Sequence, residues 1–228
     1  WKIMAKFKQE QIIPGVTKTR SNAVKVYCGA AIAENDIIVA TGMQGDFLSC
    51  VPADNTDLTK CRGPFFVADF AGASGEYLPL ALPYKVVTGV ATNAAAQVGE
   101  AVYLSTGGDV TLGAIPTAPA DAQGLALHVR VGRVTKVDAS DGAYVLSPVG
   151  CNNAPLTGTV KGGGDTTITV TGFTAELDGA PVIAGNMGDS AASVDASIER
   201  AVIASGTLTI TANGNLDSSD EVTYTVYA

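Results

Sequence analysis

Few side chains in this 228-residue chain are of a type that catalysis uses near neutral pH, and their spacing does not bring them together. The single histidine, His128, is the one group whose ordinary pKa lies in that range. It stands in Leu125-Ala126-Leu127-His128-Val129-Arg130-Val131, where alternation puts His128 and Arg130 on one strand face and Leu127, Val129 and Val131 on the other. Neither a Gly-x-Ser-x-Gly nucleophile nor a His-Glu-x-x-His pair accompanies it, so it reads as a polar-face or subunit-contact residue. Gly162-Gly163-Gly164-Asp165 has the glycines of a phosphate cradle without its Gly-Lys-Ser/Thr ending or a following helix, and reads as a flexible turn. Asp54-Asn55-Thr56-Asp57 sets two carboxylates three apart but lacks the oxygen-ligand order of a calcium loop. Asp217-Ser218-Ser219-Asp220-Glu221 reads as an acidic turn before a last strand. Cys28, Cys50, Cys61 and Cys151 show no Cys-x-x-Cys spacing and no histidine partners, which suits reduced thiols rather than zinc or a disulfide framework. Phe65, Phe66, Phe70, Tyr77 and Tyr84 fall in one stretch and read as a core cluster before a sugar platform. The expectation is a protein without catalytic residues, cofactor or metal, whose work is binding. An enzyme would need two of the loop carboxylates to converge in a deep pocket.

The elements that hold these residues are short. From Ala81 to Gly150 apolar phrases of about strand length are closed by Gly, Pro, Asn or Asp. With 26 Gly, 46% apolar residues and abundant Val, Thr and Ala, the composition predicts an all-β chain rich in tight turns. Residues 1–21 read as an extended arm punctuated by Pro14-Gly15, 22–150 as a first β unit, 151–154 as a linker and 155–228 as a small antiparallel β-sandwich. Strands are predicted at 23–27, 36–40, 65–69, 84–90, 101–105, 128–136 and 143–146, with a surface loop at 115–123. In the second unit they fall at 166–171, 181–184, 207–211 and 221–227, with Ser205-Gly206 as a two-residue hairpin turn. The stretch 190–204 is Ala-rich, as a helix would be, but Val194, Ala196 and Ile198 are spaced by two, which favours a strand.

Charge divides the chain sharply. Residues 1–25 hold Lys2, Lys6, Lys8, Lys18, Arg20 and Lys25 against Glu10, giving 6 − 1 = +5; residues 26–153 sum to 6 − 12 = −6 and residues 154–228 to 2 − 9 = −7. A basic arm on an acidic body can be steered towards a negatively charged partner. The acidic body opposes phosphate, which argues against nucleic acid. No apolar run approaches the ~20 residues of a membrane span, and no basic-then-apolar leader is visible, so a protein off the membrane and made in the cytoplasm is expected.

Several phrases carry a resemblance. Met4-Ala5-Lys6-Phe7-Lys8, Ala33-Glu34-Asn35-Asp36-Ile37-Ile38-Val39-Ala40, Gly63-Pro64-Phe65-Phe66-Val67-Ala68, Leu80-Ala81-Leu82-Pro83, Val98-Gly99-Glu100-Ala101-Val102-Tyr103-Leu104 and Val131-Gly132-Arg133-Val134 together resemble the capsid cement, or head decoration, proteins of tailed bacteriophages. Thr171-Gly172-Phe173, Leu177-Asp178-Gly179-Ala180-Pro181-Val182 and Gly206-Thr207-Leu208-Thr209-Ile210 are similar to the small β domains that phage structural proteins append. The resemblance implies a small β-barrel or β-tulip-like domain that joins the outer surface of an icosahedral head as a homotrimer and clamps neighbouring major capsid subunits. In that setting Phe7, Ile12 and Ile13 would anchor the arm along a capsid sheet edge, and Lys6, Lys8, Lys18 and Arg20 would meet acidic rims. The competing expectation is an adhesion module on the virion surface, with residues 155–228 turned to a host glycan.

Overall fold

The structure, a computed structural model, describes residues 24–118, 124–148, 155–186 and 196–227, and it is all-β. Five strands close a small barrel in the order β1 (Val24–Cys28), β3 (Phe47–Pro52), β2 (Ile37–Gln44), β4 (Phe65–Ala68) and β5 (Tyr77–Leu82), with β1 parallel to β3 and antiparallel to β5. A five-stranded sheet follows in the order β6 (Lys85–Val90), β10 (Gly142–Leu146), β9 (Arg130–Lys136), β7 (Ala101–Leu104), β8 (Val110–Leu112). Two three-stranded sheets then form the sandwich: β11 (Leu156–Lys161), β16 (Glu221–Val226) and β13 (Val182–Asn186) in one, and β12 (Asp165–Thr171), β15 (Thr207–Leu216) and β14 (Ile198–Ala204) in the other.

Three strands not anticipated from sequence complete the first unit: β3, β5 and β8. β5 carries Pro79 in mid-run, which argues against a strand. The barrel accommodates it at a bulge, where Val24 pairs with Ala81 but Val26 already pairs with Leu78, so the missing N–H of Pro79 falls where the ladder is broken. β11 also escaped the sequence reading, whereas β14 is a strand as its spacing suggested, over residues 198–204; residues 187–195 lie outside the described part. Ser205 and Gly206 both have positive φ, 51° and 72°, the signature of a type I′ hairpin. The Asp178 carboxylate holds that turn by accepting the Ser205 N–H at 2.9 Å and the Gly206 N–H at 3.0 Å.

Burial explains the apolar patterning. Ile37-Ile38-Val39 is buried on both faces: Ile38 points into the barrel with Val26, Cys28, Cys50, Leu78 and Ala81, while Ile37 and Val39 join Phe65 and Val67 against the sheet residues Val102, Leu104, Val131, Val134 and Leu146. A Cβ at Gly132 on β9 would run into the Val145 carbonyl, so the glycine of Val131-Gly132-Arg133-Val134 is what lets β9 and β10 close up. Its partner phrase is joined to it: Gly99, at φ +94°, donates its N–H to the Val134 carbonyl at 2.8 Å, and the Arg133 Nη1 donates to the Gly99 carbonyl at 2.8 Å.

The two units share one core. Leu58 and Cys61 from the loop after β3, and Ala118 and Leu125–Leu127 from the segment before β9, pack with Val170, Leu208, Ile210, Val222 and Tyr224 of the sandwich. The segment also extends the sandwich sheet: Ala118 donates its N–H to Thr159 at 3.1 Å and His128 to Thr157 at 2.8 Å, both along the free edge of β11. Where the sequence suggested a surface loop at 115–123, its described part thus ends in a buried bridge at Ala118; residues 119–123 are outside the described part. Asn55, itself buried, accepts the Leu127 N–H at 3.0 Å and donates its side-chain amide to the Leu127 carbonyl at 3.5 Å.

Two stability predictions follow from this packing. Gly132→Ala lowers the unfolding free energy by about 2 kcal/mol or more, while Gly185→Ala, which meets nothing within 4 Å, stays within about 0.5 kcal/mol of the parent; equal midpoints in urea would contradict the close β9–β10 approach. Leu58→Ala costs about 2–4 kcal/mol and raises hydrogen exchange in the sandwich strands β15 and β16, although Leu58 precedes them by some 150 residues of chain. Unchanged protection there would show that the loop does not plug the sandwich.

Candidate attachment surface

Because the outer sides of β2 and β4, and Val51 near the end of β3, are covered by the five-stranded sheet, the barrel wall left to solvent is the one made by β1, the first half of β3 and β5. Alternation along β1 sends Val26 and Cys28 inward and Lys25 and Tyr27 outward. The register places Tyr27 opposite Ser49 on β3 and opposite Tyr77 on β5, so the outward residues of three strands converge. Tyr77 meets Tyr27 edge-to-face with ring centroids 5.3 Å apart and Phe47 likewise at 5.0 Å. Lys25 lays its ammonium over both, 4.9 Å from the Phe47 centroid and 5.0 Å from that of Tyr77. Contacts of these two kinds are worth about 0.5–1.5 and 0.5–1 kcal/mol each. They hold the three rings and the lysine stem in place while Tyr77 stays 46% exposed. A surface whose rotamers are already fixed loses little entropy on binding, and tyrosine is over-represented among residues that dominate interface energies.

The arm residues Lys6, Phe7, Lys8, Ile12, Ile13, Lys18 and Arg20 lie outside the described residues. Their chain enters the fold at Val24, the first residue of β1, beside Lys25. The aromatic stretch expected to cluster does not do so as a whole: Phe65 is core, Phe66 is half-buried against the barrel interior, Phe70 and Tyr84 are exposed, and Tyr77 finds its partners in Tyr27 and Phe47 instead. Sequence reasoning missed both partners. The signals were present in the Lys25-Val26-Tyr27 alternation and in Gly45-Asp46, a two-residue link between Gln44 and Phe47, which pair with each other.

The remaining chemical candidates are occupied by structural work. Asp54 accepts the Thr56 N–H at 2.9 Å and its hydroxyl at 2.6 Å, and Asp57 does the same for Thr59 while pairing with Lys60 at 2.9 Å. The hydrogen bond from Lys60 is the main reason the Asp57 carboxyl titrates below its usual range. Asp217 accepts the Ser219 N–H at 2.7 Å and Asp220 accepts that of Asp217 at 2.8 Å, closing the acidic turn. Gly162-Gly163-Gly164 is a turn, but a packed one: Gly162 lies against the backbone of Leu216 and Asp217, and Gly164 donates to the Leu216 carbonyl at 2.7 Å. Cys28, Cys50 and Cys61 are buried free thiols, and burial pushes Cys50 and Cys61 up to about 12, which keeps them protonated and poor nucleophiles. Lys85 is tied to Asp69 at 2.9 Å and Glu34 at 3.3 Å. Among the described residues no three or more His, Cys, Asp and Glu side chains are grouped to hold a metal ion.

His128 stands at the joint between the units. Its backbone pairs with Thr157, its ring meets Tyr103 edge-to-face at 6.3 Å, and its Nε2 is buried without a partner. Burial holds its pKa below the ordinary 6.5, opposed by a hydrogen bond with the Pro116 backbone. No protein-family model, curated protein or solved structure matches the chain, so the reading of this surface rests on its own chemistry.

The depressed histidine makes a signed prediction. Above pH 6.5 the ring is neutral folded and unfolded; as pH falls through 6.5 the unfolded chain takes the proton first, and stability declines until the folded ring titrates. Urea unfolding between pH 7.5 and 5.5 is expected to show a falling midpoint that His128→Gln flattens. A parent and variant with identical slopes would contradict the burial of this ring.

Proposed function

We propose that this chain is a virion structural protein that attaches to the outside of an icosahedral phage head and cements neighbouring major capsid subunits against the pressure of packaged DNA. The observation that carries the reading is where the arm is rooted. A segment with six basic residues against one acidic residue over positions 1–25 enters the barrel at β1, on the wall where Lys25, Tyr27, Phe47 and Tyr77 are packed together and open to solvent. The arm supplies apolar anchors and positive charge, and the wall supplies a rigid contact floor at its root. The resemblance of residues 4–150 to cement proteins supports the same assignment, and its Val-Gly-Glu and Val-Gly-Arg phrases meet in a single β7–β9 joint. In this reading the protein is made in the host cytoplasm and works on the capsid surface as a homotrimer. Three arms raise one another's effective concentration once the first has docked, so contacts that are individually modest become a durable clamp. The task needs shape and adhesion, with no catalytic group, cofactor or nucleic acid.

The test removes the arm. A chain lacking residues 4–20 is expected to keep its unfolding midpoint and lose binding to expanded heads of the phage that encodes it, and Tyr77→Ser in the full chain to weaken binding by about tenfold, the scale of an interface hot spot. Full binding by the truncated chain would overturn the proposal.

A further inference from the structure

Two of the cysteines meet inside the barrel. β1 and β3 run parallel, and their register sets Cys28 directly opposite Cys50. Alternation turns both side chains inward, where they are fully buried in the same apolar cluster. The strands are packed closely at this point. The Gly29 N–H donates to the Cys50 carbonyl at 2.8 Å, and a Cβ on Gly29 would lie 3.3 Å from that oxygen and 3.1 Å from the Ser49 Oγ. Each thiol is within electrostatic reach of the other, since burial first and Cys28 second push Cys50 up to about 12.

Residues in register on neighbouring strands stand about 4.8 Å apart, inside the ~4.4–6.8 Å between Cα atoms that a disulfide spans. In the reduced barrel the Cys28 sulfur rests over Gly72, 2.9 Å from where a Cβ there would sit. Turning it towards Cys50 is a rotation about χ1 and needs no change of register. Cys61 belongs to a different core, the one centred on the sandwich, and its thiol donates to the Leu58 carbonyl at 3.5 Å; Cys151 lies outside the described residues.

We propose that Cys28 and Cys50 are a redox pair, a dithiol in reducing surroundings and a disulfide in oxidising ones, which fastens β1 to β3 from inside the barrel. With a small-molecule disulfide as oxidant the exchange balances: one cysteine thiolate attacks a sulfur of the oxidant and expels a thiol, and the second thiolate attacks the mixed disulfide and expels the other. The cysteines lose two electrons, the oxidant gains them, and the two cysteine protons leave on the expelled thiols. Burial raises the pKa of both thiols and makes the folded dithiol slow to react, so the bond closes while the barrel folds or when β1 opens. A cytosolic medium keeps the pair reduced and an extracellular one favours the bond. Because β1 continues from the basic segment, the bond ties the root of that segment to the β2–β3 hairpin. That consequence rests on the attachment reading above; the bond itself does not.

The test starts from the full chain unfolded in urea with a reductant. It is refolded either in reduced glutathione or in a mixture of oxidised and reduced glutathione, and free thiols are alkylated under denaturing conditions. Trypsin leaves residues 26–60 in one peptide, since no Lys or Arg lies between Lys25 and Lys60. After oxidative refolding this peptide is expected without alkyl groups and lighter by two hydrogens than the dithiol. The oxidised protein is expected to melt about 5–10 °C above the reduced one, the scale for closing a loop of some 20 residues in a chain of this size. Cys50→Ala is expected to abolish that difference and Cys61→Ala to keep it; if either variant does not fold, the peptide mass of the parent decides. The proposal is overturned if the peptide is alkylated twice after oxidative refolding, if Cys28 or Cys50 is joined to Cys61, Cys151 or glutathione instead, or if the bonded form melts no higher than the dithiol. No phage particle enters the experiment, so its outcome is separate from that of head attachment.

Discussion

The fold depends on a seam in which one stretch of chain serves two units at once. Leu127 exchanges hydrogen bonds with Asn55 on one side, and its neighbour His128 donates to Thr157 of β11 on the other, while the Leu127 side chain is buried in the sandwich core. Neither unit is closed without the other. The sandwich needs Leu58 and Cys61 to fill its core, and the edge of β11 needs Ala118 and His128 to pair its backbone. Buried backbone groups left unpaired cost about 1–3 kcal/mol each, so the seam resists opening by more than its apolar area alone.

A second consequence is the division of the barrel wall. Burying Ile37, Val39, Phe65 and Val67 against the five-stranded sheet uses the outer faces of β2 and β4 and takes in Val51 of β3, while Lys25, Tyr27, Phe47 and Tyr77 on β1, β3 and β5 stay at least partly open. That is where the chain enters from its basic segment. The aromatic wall and the place where β1 begins are therefore results of the same topology, in which β1 is inserted between β3 and β5 to close the barrel. A closed barrel has no free strand edge of its own, so any contact made through its β1–β3–β5 wall falls to side chains.

The fold class was legible because turn residues and β-branched runs recur at strand spacing throughout, and the Ser205-Gly206 hairpin could be placed from two residues. The first unit's missing strands were hidden for physical reasons. Pro79 sits at a bulge that sequence does not announce, and β3 pairs with β1 in parallel, a long-range choice that no local pattern encodes. The candidate surface was only half visible. Tyr77 stood out, but its partners Tyr27 and Phe47 lie 50 and 30 positions earlier in the numbering, and barrel closure alone makes them neighbours.

The proposed attachment to a phage head through the N-terminal segment and the wall behind it is most directly tested by electron cryomicroscopy of phage particles that carry the chain. The account predicts trimeric density on the outer head surface at threefold or quasi-threefold positions, with the β1–β3–β5 wall facing the capsid floor. Density placed elsewhere on the particle, or heads bare of the protein while it circulates as a free monomer, would contradict it.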